Sequence, residues 1–218
     1  MTLPKPLGII LAGGLATRMG GGATQQLDKG RLPLGDSTLL GHVIKRLAPQ
    51  VDAMALNANG DATRFADTGL PVLSDSIDGF AGPLAGVLAG LDWAADQGAT
   101  HVISAAADTP FFPADLAQRL MDAATAENTP IALAATLDPK RGAMRQPTFG
   151  LWPVSLRDDL RAALTGGLRK VVLWTDRHGA ALAPYAPDPF DPFFNVNTPD
   201  DLAQAERYLA EHYLKEFP

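Results

Sequence analysis

The apolar positions of the chain fall into short runs that alternate with helical stripes. Residues 7–13, LGIILAG, form an apolar run ended by glycine, which predicts a buried parallel strand. From Ser37 to Leu47, apolar residues at Leu39, Leu40, Val43, Ile44 and Leu47 recur at helical spacing. Two short strands are predicted next, over Ala53–Leu56, which stops at NANG, and over LPVLSD, 70–75. The stretch GPLAGVLAGLDWAADQG predicts a helix, with Pro83 at its first position and Gly98 past its end. Beyond it, HVISAAA predicts a strand running into DTP, FPADLAQRLMDAAT a helix with Pro113 near its start, and IALAAT another strand. QPTFGLWP, 146–153, alternates as an edge strand or a β-rich insertion would. Ser155–Leu164 and Leu168–Arg177 read as helical, and PYAPDPFDPFFNVN as proline-rich and irregular, ending in a short β segment. The final helix carries the clearest signals: Thr198 as N-cap, Pro199 next, then Asp200 and Asp201 in the first turn.

Strands that alternate with helices imply βαβ units. The expected fold class is therefore α/β, a single three-layer domain with a mostly parallel sheet and helices on both faces. Residues 143–153 are expected as a small β extension, and residues 1–6 and about 214–218 as flexible ends. In such sheets ligands sit beyond the carboxyl ends of the strands, so chemistry is sought after each apolar run.

Composition narrows the classes. The 218 residues are 46% hydrophobic and 19% charged, as in a globular domain. With no cysteine, disulfides, thiolate catalysis and zinc–cysteine sites are excluded. A formal net charge of −6 without a basic stripe argues against a nucleic-acid partner. The N-terminal apolar run is too short for a signal peptide, and no run approaches the roughly 18 residues that span a bilayer. A cytoplasmic location without membrane contact is expected.

The first strand opens into LAGGLATRMGGGATQQLDKGRL, residues 11–32, which holds six glycines together with Arg18, Lys29 and Arg31. It matches neither common phosphate loop: Lys29 is followed by Gly30 rather than Ser or Thr, and no G-x-G-x-x-G spacing occurs. The physical logic of those loops survives, because glycines let backbone N–H groups approach phosphate oxygens, and Arg18 and Lys29 could neutralise a triphosphate. Asn57, in NAN, offers donors and acceptors for a base edge or a ribose, although Asn and Gly together also mark a turn. Asp75 after the third strand reads equally as a turn or capping residue. Asp108, in SAAADTPFF, lies several residues before Pro113 and so is not an N-cap. A carboxylate at a strand end facing a phosphate loop is a natural Mg²⁺ ligand, since magnesium takes one or two carboxylates together with substrate phosphates and water. Asn195 and Asn197 alternate on the expected short β segment, so both should point to one face. The four histidines show no metal-ligand spacing, and there is no G-x-S-x-G elbow. Trp93, Trp152 and Trp174 are expected in the core.

The order of these motifs along the chain resembles the molybdenum cofactor guanylyltransferases, within the broader group of Rossmann-like nucleotidyltransferases. The motifs are LAGG…RMGG…DKG, NAN, DS…GPLAG, DTP and NVNTP, and the resemblance runs from about Leu7 to about Ala205. It implies transfer of GMP from GTP to molybdenum-molybdopterin, with release of pyrophosphate and formation of the guanine dinucleotide cofactor. It implies that Leu11, Ala12, Gly13 and Gly14 hold the guanine nucleotide, that Lys29 and Arg18 contact its phosphates, and that Asn57 and Asp75 hold the nucleoside. Asp108 would bind Mg²⁺, Gly82 and Gly86 would allow close approach beneath the site, and Asn195 and Asn197 would lie towards the pterin. Arg145, Gln146 and Arg169 are further positions for pterin contact. Molybdenum-insertion proteins and recipient molybdoenzymes or their chaperones are partners expected of the family. In that family RMGG runs almost directly into DK, whereas here Ala23–Leu27 intervene and either loop out or move Lys29. A cytidylyltransferase sibling, which tends to carry LAAG where Gly13 stands, a nucleotide-sugar pyrophosphorylase and a non-catalytic nucleotide-binding protein are the alternative readings.

Overall fold

The computed structural model describes residues 5–13, 28–77, 79 and 82–211. Gly14, Arg18 and the 23–27 insertion fall outside the described residues, as do the ends at 1–4 and 212–218. Seven strands form one sheet in the order β5-β4-β1-β6-β8-β7-β9. These are β1 (Leu7–Leu11), β4 (Met54–Asn57), β5 (Val72–Leu73), β6 (His101–Ala106), β7 (Ile131–Asp138), β8 (Gly142–Pro153) and β9 (Ala180–Tyr185). All neighbouring pairs are parallel except those of β8, which is antiparallel to both β6 and β7.

The sheet is covered on both faces, which is why β1 carries apolar residues without alternation: Ile9 and Ile10 point to opposite sides and both are fully buried. On one side Ile10, Leu56 and Ile103 pack under α1 (Leu39–Leu47) and α3 (Leu116–Glu127). On the other, Ile9, Ala55 and Val102 pack under α2 (Pro83–Asp96), α4 (Arg157–Thr165) and α5 (Val171–His178). A third cluster joins α6 (Pro199–Glu211) to a small hairpin made of β2 (Pro33–Leu34) and β3 (Ser37–Thr38), through Leu34, Val196 and Leu209. Trp152 and Trp174 are fully buried, whereas Trp93 is only partly so.

Several boundaries differ from the sequence reading, each for a local reason. Ser37 and Thr38 pair in the hairpin, and α1 starts at Leu39 because Thr38, in extended backbone, accepts the Gly41 N–H on its Oγ1 at 3.0 Å. Pro113 lies ahead of α3, in a turn whose carbonyl accepts from Leu116. β9 was not anticipated; its alternating residues close the sheet beside β7. The expected edge strand over 146–153 is corrected: β8 lies inside the sheet, and Phe149–Pro153 are buried throughout because β6 and β7 flank them. Only its first half, where Gly142–Gln146 pair with β7 but not with β6, is the projecting β extension. A register shift at Leu133/Ala134 separates the two halves. At that point Ser104 Oγ donates to the Thr148 carbonyl and accepts from Trp152 Nε1 and Gly150 N, at 2.8–3.3 Å.

The expected short β segment at Asn195–Asn197 is also corrected. These residues belong to no strand; Val196 is fully buried and its N–H donates to the Asp108 carbonyl at 2.9 Å. The final helix begins as expected. Thr198 Oγ1 accepts the Asp201 N–H, while Asp201 Oδ2 accepts the N–H groups of Asn197 and Thr198, each at 2.9 Å.

Candidate active site

The carboxyl ends of β1, β4, β5 and β6 converge on a cleft of about 830 Å³. Leu11, Gly13, Asn57, Asn59, Asp75, Gly82, Thr148, Asp108 and Asn195 are among the residues that line it. The sheet puts them there by register. Leu11 pairs with both Asn57 and Ala106, so Asn57, the β1 loop and Asp108 leave three adjacent strands at one level.

One side is an amide–carboxylate cluster. Asn57 Nδ2 donates to Asp75 Oδ1 at 3.0 Å and to the Leu73 carbonyl at 3.2 Å. Asn59 Nδ2 donates to Asp75 Oδ2 at 2.8 Å, and its Oδ1 accepts the Asp75 N–H at 2.9 Å. Both carboxylate oxygens of Asp75 are therefore held, and the oxygen of the Asn57 amide lies over α2. A Cβ on Gly86 would overlap that oxygen, so the glycine is required by close approach. Gly82 is different: with φ 132° it occupies a backbone region that favours glycine, and among the described residues the nearest atom to a Cβ there is the Arg169 carbonyl oxygen, at 3.9 Å. Among the described residues, the close approach expected of both glycines is present at Gly86 and not at Gly82.

The other side is a charged pair. Lys29 opens the 3-10 turn Lys29–Arg31, whose Gly30 sits against Ala107 and Leu40. Its Nζ donates to Asn197 Oδ1 at 2.6 Å and lies 3.7 Å from Asp108 Oδ2. Lys29, two residues beyond Leu27, thus faces Asp108. Burial pushes the Asp108 carboxyl above the ordinary carboxylate range, and the nearby Lys29 ammonium pulls it only part of the way back. A buried carboxylate whose charge is incompletely compensated fits a divalent cation that completes its shell with substrate phosphates and water. Among the described residues there is no group of three or more His, Asp or Glu that could hold a metal ion.

The remaining predicted positions divide. Ala12 is buried and its N–H donates to the Asn57 carbonyl at 2.9 Å, so it fixes the path of the chain into the loop. Gly13 lines the cleft, and no atom of the described residues beyond its chain neighbours stands within 4 Å of where its Cβ would be. Asn195 lines the cleft, whereas Asn197 is held on Lys29. Arg145 pairs with Asp176 at 2.6 Å, Gln146 donates to Thr136 Oγ1, and Arg169 donates to the carbonyls of Leu164 and Leu168. Asn59 was missed by sequence reasoning; its signal was the second asparagine of NAN, two residues along and therefore on the side of the backbone that Asn57 faces. Arg64, treated below, left no motif.

A mostly parallel α/β sheet with a glycine loop after its first strand, an amide cluster on one side of the cleft and a partly buried lysine–aspartate pair on the other defines a nucleotidyltransferase-type domain. Comparison with known proteins makes the class specific. A family model described as the MobA-like NTP transferase domain matches residues 8–180. A Bradyrhizobium protein named molybdenum cofactor guanylyltransferase is 53% identical over 206 residues, covering 93% of this chain and 92% of the relative. A Rhodopseudomonas palustris protein of the same name is 52% identical, with the same coverage. Among solved structures, the molybdopterin-guanine dinucleotide biosynthesis protein A of Archaeoglobus fulgidus shares the fold, with a TM-score of 0.71 at 21% identity, covering 94% of this chain and 99% of that one. The chain belongs to the MobA-like NTP transferase family and is an enzyme of the nucleotidyltransferase class.

Proposed function

We propose that this enzyme transfers GMP from GTP to molybdenum-molybdopterin, forming the guanine dinucleotide cofactor and releasing pyrophosphate. The observation that carries the reading is the pairing of Lys29 with a partly buried Asp108 across one cleft from the Asn57–Asp75 cluster. A nucleotide laid between them has its nucleoside at the amide cluster and its phosphates at the charged pair. The names of relatives about half identical over most of the chain supply the acceptor.

The terminal phosphate oxygen of molybdopterin attacks the α-phosphorus of GTP, and the bond to the pyrophosphate oxygen breaks. The nucleophile is already an oxyanion, so the protein need not supply a strong base; its work is alignment and charge neutralisation. Lys29, poised by Asn197, meets the phosphates, joined by Arg18. Asp108 is the residue that would hold Mg²⁺, which when bound would supply neutralisation of the phosphoryl and pyrophosphate charge. Leu11, Ala12, Gly13 and Gly14 cradle the nucleotide, Asn57 and Asp75 orient the nucleoside, and Asn195 faces the acceptor.

A cytoplasmic site of action follows the same reading, with molybdenum-insertion proteins upstream and recipient molybdoenzymes or their chaperones downstream. Among the described residues, no helix is long and apolar enough to cross a membrane. The test is pyrophosphate release with Mg²⁺ and molybdenum-loaded molybdopterin, comparing GTP with CTP. Release with GTP alone supports the reading; release with CTP alone keeps the mechanism and overturns the base.

A further inference from the structure

The Lys29 turn is tied to a part of the chain that no motif marks. A 3-10 helix, Ala62–Thr68, leads from β4 towards β5, and Asp61 caps its start by accepting the Thr63 N–H at 2.9 Å. Two ion pairs run from this helix to the Lys29 turn. Arg64 Nη1 meets Asp28 Oδ1 at 2.9 Å, and Asp67 Oδ2 meets Arg31 Nη1 at 2.7 Å. The pairs differ in weight. Asp67 is 60% exposed, so its pair is a screened surface contact. Asp28 is 8% exposed, and a carboxylate buried to that degree requires a partner.

Arg64 does more than neutralise Asp28. Its Nη2 donates to the Asn59 carbonyl at 2.7 Å and its Nε to the Asp61 carbonyl at 2.9 Å. One planar guanidinium therefore joins the residue before Lys29 to the residue whose side chain grips Asp75. On the far side of Lys29, Asn197 is fixed by the Asp201 carboxylate on its N–H.

We propose that Arg64 is a positioning residue for Lys29. It locks Asp28 against the Asn57–Asn59 segment, and so holds the Lys29 ammonium at the distance from the nucleoside cluster that a nucleoside triphosphate requires. The inference rests on the nucleotide reading above.

The test is equilibrium binding of GTP with Mg²⁺, and of guanosine, to the full chain, with thermal unfolding as the fold control. Arg64→Ala should weaken GTP binding about tenfold, the size expected when a charge-assisted contact is lost. Guanosine, which has no phosphate for Lys29 to grip, should bind within about twofold of wild type. In a Lys29→Ala background the same substitution should change GTP affinity less than about twofold, because the two residues act in series. Arg64→Lys can still pair with Asp28 but cannot span all three acceptors, so it should recover part of the loss. Should Arg64→Ala not fold, Asp28→Asn removes the ion pair while keeping the shape, and the same pattern is expected. A folded Arg64→Ala protein with wild-type GTP affinity overturns the inference. So does an equal loss in the Lys29→Ala background, or a matching loss of guanosine. Failure of the wild type to bind GTP at all instead overturns the nucleotide reading, and this inference with it.

Discussion

A single methyl group added at Gly86 tests whether α2 fixes the nucleoside side of the cleft. In Gly86→Ala the new Cβ overlaps Asn57 Oδ1 and comes within 2.7 Å of Leu11 Cδ2. The amide must swing away, losing its hydrogen bonds to Asp75 and to the Leu73 carbonyl. Those bonds contribute about 1 kcal/mol each, and overpacking adds about 1–3 kcal/mol. Alanine returns about 1 kcal/mol of helix propensity. The net is a destabilisation of about 3 kcal/mol, a fall in Tm of roughly 10 °C for a domain of this size. Gly90→Ala, one turn further along, is the control: the nearest atoms to its Cβ are those of the Ile9 side chain, at 3.0–3.2 Å. It should cost about 1 kcal/mol and leave nucleotide binding intact. Urea unfolding and GTP binding measured on both variants separate the two effects. A Gly86→Ala protein as stable as wild type, with undiminished GTP affinity, would refute the idea that close packing against α2 sets the Asn57 amide.

Ser104→Ala should destabilise by about 3 kcal/mol in urea unfolding, because the fully buried hydroxyl serves Thr148, Gly150 and Trp152 at once and its loss strands their polar groups. Asp201→Asn should cost about 1 kcal/mol at neutral pH, as loss of a helix cap does. Although burial opposes ionisation, the N–H groups of Asn197 and Thr198 hold the Asp201 carboxyl below its ordinary value of 3.8. A lowered carboxylate contributes stability that is fully present above 3.8 and lost as pH falls through the lower folded value. The gap between variant and wild type, followed by thermal unfolding against pH, should therefore close below 3.8 and not above it. Chelation with EDTA should stop pyrophosphate release and Mg²⁺ restore it; unchanged turnover in EDTA would count against the metal reading of Asp108.

The β1 strand, α2 and the capped start of α6 were legible because local chemistry decides them: an unbroken apolar run, a Pro83 start with Gly98 past the end, and the Thr198–Asp201 cap. β8 was misjudged because the alternation of QPTFGLWP suggests one exposed face, whereas Phe149–Pro153 are buried throughout between β6 and β7 and only Gly142–Gln146 project beyond β6. Asn195 reaches the cleft and Asn197 reaches Lys29 without a strand to carry them, on either side of the buried Val196. Asp108 was visible as a carboxylate at a strand end with no helix to cap. Arg64 was not visible at all, because its meaning lies in Asp28, Asn59 and Asp61, which only the fold brings within reach of one guanidinium.

The most direct test of the central claim follows the phosphorus atoms. GTP carrying radioactive phosphorus at the α or the γ position is incubated with Mg²⁺, molybdenum-loaded molybdopterin and either wild type or Asp108→Ala. The account predicts that α label alone enters the pterin product, that γ label leaves as pyrophosphate, and that the folded Asp108→Ala protein transfers neither. Transfer of γ label to the pterin, or wild-type transfer by Asp108→Ala, would contradict it.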